Sequence, residues 1–589
     1  MLRFSWLAAL APLVLLTACA TTAADVGLRP SQTASHASSS GGASAYGLFL
    51  AGHAAMAQGR AADALTLLNT ARAAGATDPE VLRGSFVAAL LSGDIVQAAA
   101  LAPQADDADN DLRQLGDLTR AVSAMAAGKP KAAFGIVSMS RFEQTNRAAA
   151  ALLMPLMADA AEVKDAAVVR PDQRIDRVVQ YYGQLSQAQI FERQKRYDEA
   201  ETGYKLLAGP SSPTFSLFLA DYGEFLERRG RRADAVALYD LGLSRGRTDQ
   251  GLKDARARAA AGRRAPRLAS PIDQISRVLV ACAAIRVGAD DDEGAMAYLR
   301  LALAADPNRL EAWLMVGDLL SDSNLEEALA AYRRVPKGSD LFVSAMAKTA
   351  WSYQAQGEKT AALAAARAGH ASAPGNRDAA ITLAELLKAT DRTPEAITLL
   401  DKIVADYADK PDWRLLYLRA TALAEAGRKA DSERDLKAAL VVSPDEPELL
   451  NYLGYMWIDR SENLPEAMKM VQRAAATQPR SGAIIDSLGW AYYHLGDYRT
   501  AVQTLERAVT LEASDAEVND HLGDAYWRVG RKVEARFQWS RVLSLQPSAA
   551  IRQRAESKLK SGLDATAAPS AIPPGTAAAA TPPALAVGG

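Results

Sequence analysis

The side chains that most often carry catalysis or bind metal are few in this chain and far apart. The 589 residues include two cysteines and only five histidines, at positions 36, 53, 370, 494 and 521. No two histidines have the spacing of a zinc-protease helix, and the cysteines and histidines form no cluster with zinc-ligand spacing. A nucleophile elbow, a Walker loop and a dinucleotide-binding glycine pattern are also missing from any fitting context. We therefore predict no catalytic residue, no metal site, no cofactor and no enzymatic activity.

The first nineteen residues combine a positive charge, an apolar run and a cysteine. Arg3 precedes the apolar stretch 7–16, and small residues lead from there to Cys19. This order is typical of a secretory signal, since the apolar run is too short to span a bilayer stably. Residues 16–19, Leu-Thr-Ala-Cys, resemble the bacterial lipobox, which implies a signal peptide at 1–18 and acylation of Cys19 with diacylglycerol and a further chain, such as palmitate. An ordinary signal peptide cleaved elsewhere is the alternative.

The residue after the lipobox and the overall charge bear on location and partners. Ala20 stands where many Gram-negative lipoproteins kept in the inner membrane carry Asp, so the resemblance implies an outer-membrane anchor facing the periplasm. Cys282 is the one further cysteine, which excludes a disulfide within the mature chain and indicates a core-filling role. The net charge of −2 gives no electrostatic reason to expect nucleic acid or an anionic membrane surface as a partner.

A motif recurs at intervals of 34 residues near the C-terminus. Gly489 lies between a leucine and an aromatic residue and is followed by Ala501; the same order returns at Gly523 and Ala535, and one step earlier at Gly454. The lettering resembles the tetratricopeptide repeat, a pair of antiparallel helices whose small residues permit close approach. One such hairpin cannot bury its apolar face, so neighbours must stack. We predict an all-α chain, a tetratricopeptide helical-hairpin solenoid wound as a right-handed superhelix.

The same period, with weaker lettering, extends over most of the chain. It is interrupted at 138–180, which contains Pro155, and in an Arg-rich stretch that could be taken for a nucleic-acid patch but that we interpret as a solvated linker. The two ends are too rich in Ala, Ser, Thr and Pro to bury a core. The predicted segments are a lipidated flexible tether at 19–44, an N-terminal repeat block at 45–243, a basic linker or irregular repeat at 244–271, a C-terminal repeat block at 272–562 and a disordered tail at 563–589.

Stacked hairpins curve, and the first helix of each hairpin lines the concave face. Residues that flank the packing positions on those helices are predicted to project into a protein-binding groove. They form a mixed aromatic and acidic strip, which favours a basic or apolar partner segment over a terminal carboxylate; packing of the two tryptophans between repeats is the alternative. The candidate groove residues are Asn451, Tyr455, Asp486, Trp490, Tyr493, His494, Asp520, Asp524 and Trp527.

Three segments of the C-terminal block, 450–455, 484–490 and 520–524, resemble a group of Gram-negative outer-membrane lipoproteins. Members of that group act as adaptors for a periplasmic carboxyl-terminal processing protease and present cell-wall hydrolases for degradation. The resemblance implies a non-catalytic scaffold that binds the protease and its substrates, with no nucleic acid or small-molecule substrate. Two alternatives stay open: an assembly or pilot lipoprotein for a secretin or a polysaccharide export system, and an enzyme whose active site has no recognisable motif.

Overall fold

The computed structural model describes residues 44–103, 110–169, 176–245 and 250–563. The signal segment, Cys19 and residues 564–589 of the predicted tail lie outside the described residues. Within the described ranges the chain forms thirty α-helices and no strand, so the all-α prediction is confirmed. None of the described helices is long and apolar enough to cross a membrane.

The first thirteen helices are α1 (Ala45–Ala57), α2 (Ala61–Ala73), α3 (Pro79–Ser92), α4 (Ile95–Leu101), α5 (Asn110–Ala126), α6 (Pro130–Met139), α7 (Gln144–Ala160), α8 (Lys164–Ala167), α9 (Arg177–Arg193), α10 (Tyr197–Ala208), α11 (Phe215–Arg228), α12 (Arg232–Ser244) and α13 (Gln250–Ala260).

The remaining helices are α14 (Pro271–Val287), α15 (Asp292–Ala305), α16 (Leu310–Leu320), α17 (Leu325–Tyr332), α18 (Phe342–Ala355), α19 (Lys359–Ser372), α20 (Arg377–Ala389), α21 (Thr393–Asp406), α22 (Trp413–Glu425), α23 (Lys429–Val442), α24 (Pro447–Asp459), α25 (Leu464–Thr477), α26 (Gly482–His494), α27 (Tyr498–Leu511), α28 (Ala516–Arg528), α29 (Lys532–Ser544) and α30 (Ala549–Ser561).

From α14 onward the helices pack as consecutive hairpins, with the even-numbered helix first. The repeated glycine lies where the two helices of a hairpin touch. A Cβ atom added to Gly489 would lie 2.6 Å from Cγ of Leu505, and one added to Gly523 would lie 2.5 Å from Nε1 of Trp539. The glycine is therefore required because any side chain would push the second helix away.

Helices α9–α13 form an arm with its own hydrophobic core, which includes Tyr204, Phe218, Phe225 and Tyr239. This arm continues the stacking of the N-terminal helices, whereas α14 leaves it and packs beside α7 and α9. The array therefore branches at α9.

A buried Tyr–Glu–Arg cluster occurs twice in this arm. The Tyr204 hydroxyl donates to Glu192 at 2.9 Å, and the Arg228 guanidinium lies 2.7 Å from the same carboxylate. One repeat later, Tyr239 and Arg258 hold Glu227 in the same way, each at 2.8 Å. Burial raises the pKa of both phenols, which therefore keep their protons and donate. These clusters join the carboxyl ends of α9, α11 and α13.

Helices α14 and α15 return to the N-terminal helices and complete their core. The Arg300 guanidinium donates to the backbone carbonyl of Leu91 at 2.8 Å, and the Tyr298 hydroxyl lies 2.9 Å from the Asn146 side-chain oxygen. One continuous core runs from α1 through α8 into α14–α18. It includes Cys282, which is buried as predicted and whose thiol pKa burial raises to about 12.

The predicted linker, 244–271, contains helix α13 and an irregular stretch from Ala261 to Ser270. Residues 246–249 lie outside the described residues. The division of the chain into two repeat blocks at this linker stays a prediction, and the core of α1–α8 and α14–α18 crosses it. The 138–180 region, also irregular in sequence, contains the whole of α7, with Pro155 inside it, and the short α8.

We expect Arg258→Ala to open the arm, because it leaves the Glu227 carboxylate buried without its cation. Removing one partner of a buried ion pair costs about 3 kcal/mol. Hydrogen exchange should show faster opening of α11–α13 and unchanged protection of α14–α28. The control is Arg256→Ala, two residues away on the same helix, whose pair with Asp240 is half exposed. Equal exchange in both variants would contradict this account.

Candidate protein-binding groove

The nine predicted groove residues lie on the first helices α24, α26 and α28, which are neighbours on one face. Contacts across these helices bring them together: the Tyr455 hydroxyl lies 3.2 Å from Glu517 two repeats away, and Asp486 meets His521 one repeat away. These contacts bring residues of the three helices together on one face, and the role of that face as a protein-binding groove stays a prediction. Most of the polar atoms on this face, however, already have partners within the chain.

An aromatic stack occupies the centre of the face. The Trp490 ring lies parallel to the Tyr493 ring at 4.5 Å and to the His521 ring at 3.9 Å. Arg528 extends the stack, since its Nε donates to the Tyr493 hydroxyl at 3.0 Å. Trp490 is half-buried, so it packs between α26 and α28 while keeping one edge accessible. Whether that edge binds a partner stays a prediction.

His521, whose ring is part of this stack, forms a buried pair with Asp486. The Nδ1 atom of His521 lies 2.9 Å from a carboxylate oxygen of Asp486, and both residues are at most 5% exposed. Burial alone would lower the pKa of His521, but the Asp486 carboxylate outweighs this effect and raises it. Sequence analysis did not include His521 among the groove residues. Its position directly after Asp520 on a first helix was the available signal.

The last helix, α30, covers the acidic end of the face. The Lys558 ammonium lies 2.8 Å from Asp520 and 2.7 Å from Asp524, and its side chain is only 14% exposed. Asp524 also accepts from the Trp539 indole at 2.9 Å. Asp520 and Asp524 were expected to attract a basic partner segment, and a basic segment of the same chain occupies that place. The acidic end is therefore closed by the protein itself.

Two further predicted residues are held at the edges of the face. Trp527 lies between the Lys532 ammonium, 4.0 Å from its ring, and the backbone at Gly562. His494 Nδ1 lies 3.2 Å from the Ser461 hydroxyl, and burial lowers the pKa of His494 to about 4. His494 is therefore neutral at physiological pH.

Upstream, the same face is less saturated. Four buried side-chain oxygens on the first helices from α18 to α24 have no hydrogen-bond partner among the described residues: those of Gln354 on α18 and Glu385 on α20, one carboxylate oxygen of Glu448 on α24, and that of Asn451 on α24. Tyr417 and Tyr452 lie between them, with their rings edge to face at 5.7 Å. Glu385 follows Ala384 as Trp490 follows Gly489, so it occupies the same repeat position. We call this part, from α18 to α24, the open groove.

The Glu385 carboxyl of the open groove has a pKa well above its ordinary value. Burial raises its pKa to about 7, and Lys388 opposes this shift only in part, since its ammonium lies 2.7 Å from Thr421 and 3.0 Å from Glu425. A donor from a partner chain would satisfy the free oxygen and stabilise the ionised form. The open groove therefore favours a donor-rich or cationic segment.

We expect Glu385→Gln to stabilise the protein at pH 8. The native state holds the Glu385 proton more tightly than the unfolded chain, so wild-type stability falls as pH rises from about 4.5 to about 7. The amide removes this penalty, and the free energy of unfolding should rise by about 1–2 kcal/mol at pH 8 and little at pH 4.5. Urea unfolding followed by tryptophan fluorescence measures both, with the exposed Glu358→Gln as control. A gain that does not depend on pH would contradict the assignment.

Lys558→Ala should release α30, because it leaves Asp524 buried without its cation and Asp520 with only the half-exposed Arg554, 3.8 Å away. The loss should be about 3 kcal/mol in the local opening of α28–α30, measured by hydrogen exchange. Lys560→Ala removes an exposed lysine of the same helix and should leave protection unchanged. If both variants exchange alike, the ammonium does not hold the helix.

Comparison with known families identifies the repeats. Tetratricopeptide-repeat family models match residues 353–420, 417–482 and 489–530. A TPR repeat-containing protein of Pseudomonas aeruginosa is 31% identical over 122 residues, which are 21% of this chain. The match spans about a fifth of the length of that relative, 20%.

Solved structures of similar helical arrays align over different lengths. A Cut9–Hcn1 hetero-tetramer of the APC/C aligns with 88% of this chain and 96% of its own at 14% identity and a TM-score of 0.38. A thermophilic TPR protein of Thermus thermophilus aligns with 31% of this chain and 100% of its own at 23% identity and a TM-score of 0.28. The family matches identify tetratricopeptide repeats over residues 353–482 and 489–530 of the chain.

Proposed function

We propose that this protein is a non-catalytic scaffold of the cell envelope that presents substrates to, or activates, a periplasmic processing protease of the carboxyl-terminal type. The observation that carries the binding role is the open groove, where buried acceptors on α18, α20 and α24 have no partner among the described residues. Tetratricopeptide arrays bind other proteins, and such a face suits a polypeptide segment.

The chemistry of the open groove indicates which class of polypeptide segment it would bind. Its free side-chain oxygens are acceptors, and Lys388, the lysine nearest Glu385 in the chain, is already engaged by Thr421 and Glu425. A terminal carboxylate would meet the Glu385 carboxylate, whereas a Lys or Arg side chain or a run of backbone N–H groups would find acceptors. The aromatic pair Tyr417 and Tyr452 offers apolar contact between them. We expect an extended basic segment.

The protease partnership rests on the resemblance of segments 450–455, 484–490 and 520–524, and the Pseudomonas aeruginosa relative supports a kinship among bacterial repeat proteins. These segments contribute the Asp486–His521 pair and the Trp490 stack, so their lettering reflects shared packing as well as any shared partner. Substrates of such a scaffold would be cell-wall hydrolases. Anchoring through Cys19 at the periplasmic side of the outer membrane belongs to the same proposal.

Capture of partners from the envelope tests the proposal. Cells producing the full chain with a C-terminal tag are crosslinked, and the co-purifying proteins are identified by mass spectrometry. Glu385→Lys places a cation among the groove acceptors and should reduce partner recovery at least tenfold. Glu358→Lys makes the same change on an exposed turn of the preceding repeat and should leave recovery unchanged.

The identity of the captured proteins separates the alternatives. Recovery of a processing protease together with cell-wall hydrolases supports the adaptor role. Secretin or export components would overturn the protease link in favour of an assembly lipoprotein, and recovery unaffected by Glu385→Lys would place binding outside the open groove. A mature chain whose Cys19 carries no acyl chain by mass spectrometry would contradict the lipid anchor.

A further inference from the structure

One edge of the α9–α13 arm carries an excess of positive charge. The first helices α9, α11 and α13 end on this edge, since Glu192 meets Arg228 and Glu227 meets Arg258 across their carboxyl ends. The turn residues that follow these helices therefore line up in space. Eight of them are basic and exposed: Lys195, Arg196, Arg229, Arg231, Arg232, Arg263, Arg264 and Arg267. We call this set the basic ridge.

The segment after α13 places the last three arginines on the ridge. It runs from Ala261 to Ser270 across the ends of all three helices rather than away from them. Arg228 on α11 reaches the Pro266 carbonyl at 3.5 Å, and Arg193 at the end of α9 donates to the Ala269 carbonyl at 3.1 Å. Interhelical distances of 8–10 Å give the ridge a length of roughly 20 Å.

Few acidic residues neutralise the ridge. Arg196 pairs with Glu199, and Arg231 pairs with Asp234 and Glu201. The six other cations have no ion-pair partner among the described residues: Lys195, Arg229, Arg232, Arg263, Arg264 and Arg267. The ridge thus has a local excess of positive charge, although the total charge of the chain is close to zero.

The partial negative charge at the carboxyl ends of the three helices does not account for the eight cations of the ridge. Each helix carboxyl terminus favours about one nearby positive charge. Arg193, Arg228 and Arg258 already supply these charges from the last turn of their own helices. The exposed residues of the ridge lie beyond them, where water and salt weaken any contribution to stability.

The geometry points to the basic ridge as a surface that binds anionic phospholipid headgroups. Seven of its eight cations are arginines, whose planar guanidinium groups match phosphate oxygens. None of the exposed large hydrophobic side chains of the described residues lies in the three turns. The aromatic rings beside the ridge, Tyr197 and Phe191, are covered by Arg229 at 3.6 Å and by Arg196 at 4.4 Å. A protein interface needs buried anchors of that kind, whereas a charged membrane surface needs only spread cations.

Binding to lipid vesicles tests the ridge. The full chain carrying Cys19→Ser, which removes acylation, is sedimented with vesicles of pure phosphatidylcholine or of phosphatidylcholine with phosphatidylglycerol. Partitioning should be at least tenfold stronger on the anionic vesicles and should fall steeply between low and physiological salt. Replacing Arg263, Arg264 and Arg267 together with Glu should remove most of this difference.

A matched control separates the ridge from net charge. Lys410→Glu, Arg480→Glu and Arg499→Glu change the charge by the same amount at exposed positions elsewhere and should leave partitioning unchanged. Circular dichroism confirms that both triple variants keep their helices. Equal partitioning of the two variants, or of wild type on neutral and anionic vesicles, would overturn the proposal. Loss of RNA or polyglutamate binding by the ridge variant without a change on vesicles would also overturn it and reassign the ridge to that polymer.

Discussion

Close approach of two helices at a residue without a large side chain is the constraint on which the array depends. At Gly489 and Gly523 the partner helix lies so near that even a methyl group would collide. Because each hairpin is thin, its outer face reaches the next hairpin, and apolar residues fill the space between them. The cores of neighbouring repeats consequently merge into clusters that span several hairpins.

Polar groups inside such an array must find partners along it, and they do so across repeats. Glu227 receives Tyr239 from its own hairpin and Arg258 from the next. Asp524 receives Trp539 and Lys558 in the same manner. Where a neighbour supplies no donor, as at Glu385, the acceptor stays open and its pKa rises. The proposed binding face is thus the part of the repeat pattern whose polar groups the chain does not satisfy by itself.

The helical class and the register of the first helices follow from sequence, because glycine, aromatic and alanine positions recur at a fixed interval. The same register places Asp486, Trp490 and Asp520 on one face. Their burial does not follow, since a helix periodicity cannot tell which other element covers a polar face. The covering helix had a signal: Arg554 and Lys558 have the four-residue spacing of Asp520 and Asp524. The return of α14 and α15 had none, because its contacts join residues 152 and 209 positions apart.

That return changes how the molecule must be assembled. A simple solenoid can fold outward from any repeat, since each one touches only its neighbours. Here Asn146 has its hydrogen bond only once Tyr298 is present, and Leu91 only once Arg300 is present. The core of the N-terminal helices is therefore incomplete until some two hundred further residues have been synthesised. Their apolar face is therefore solvent-accessible during synthesis. The N-terminal half thus resembles one large globular domain whose core is completed by α14 and α15. The C-terminal half, in contrast, is a series of similar hairpins in which each contacts its neighbours.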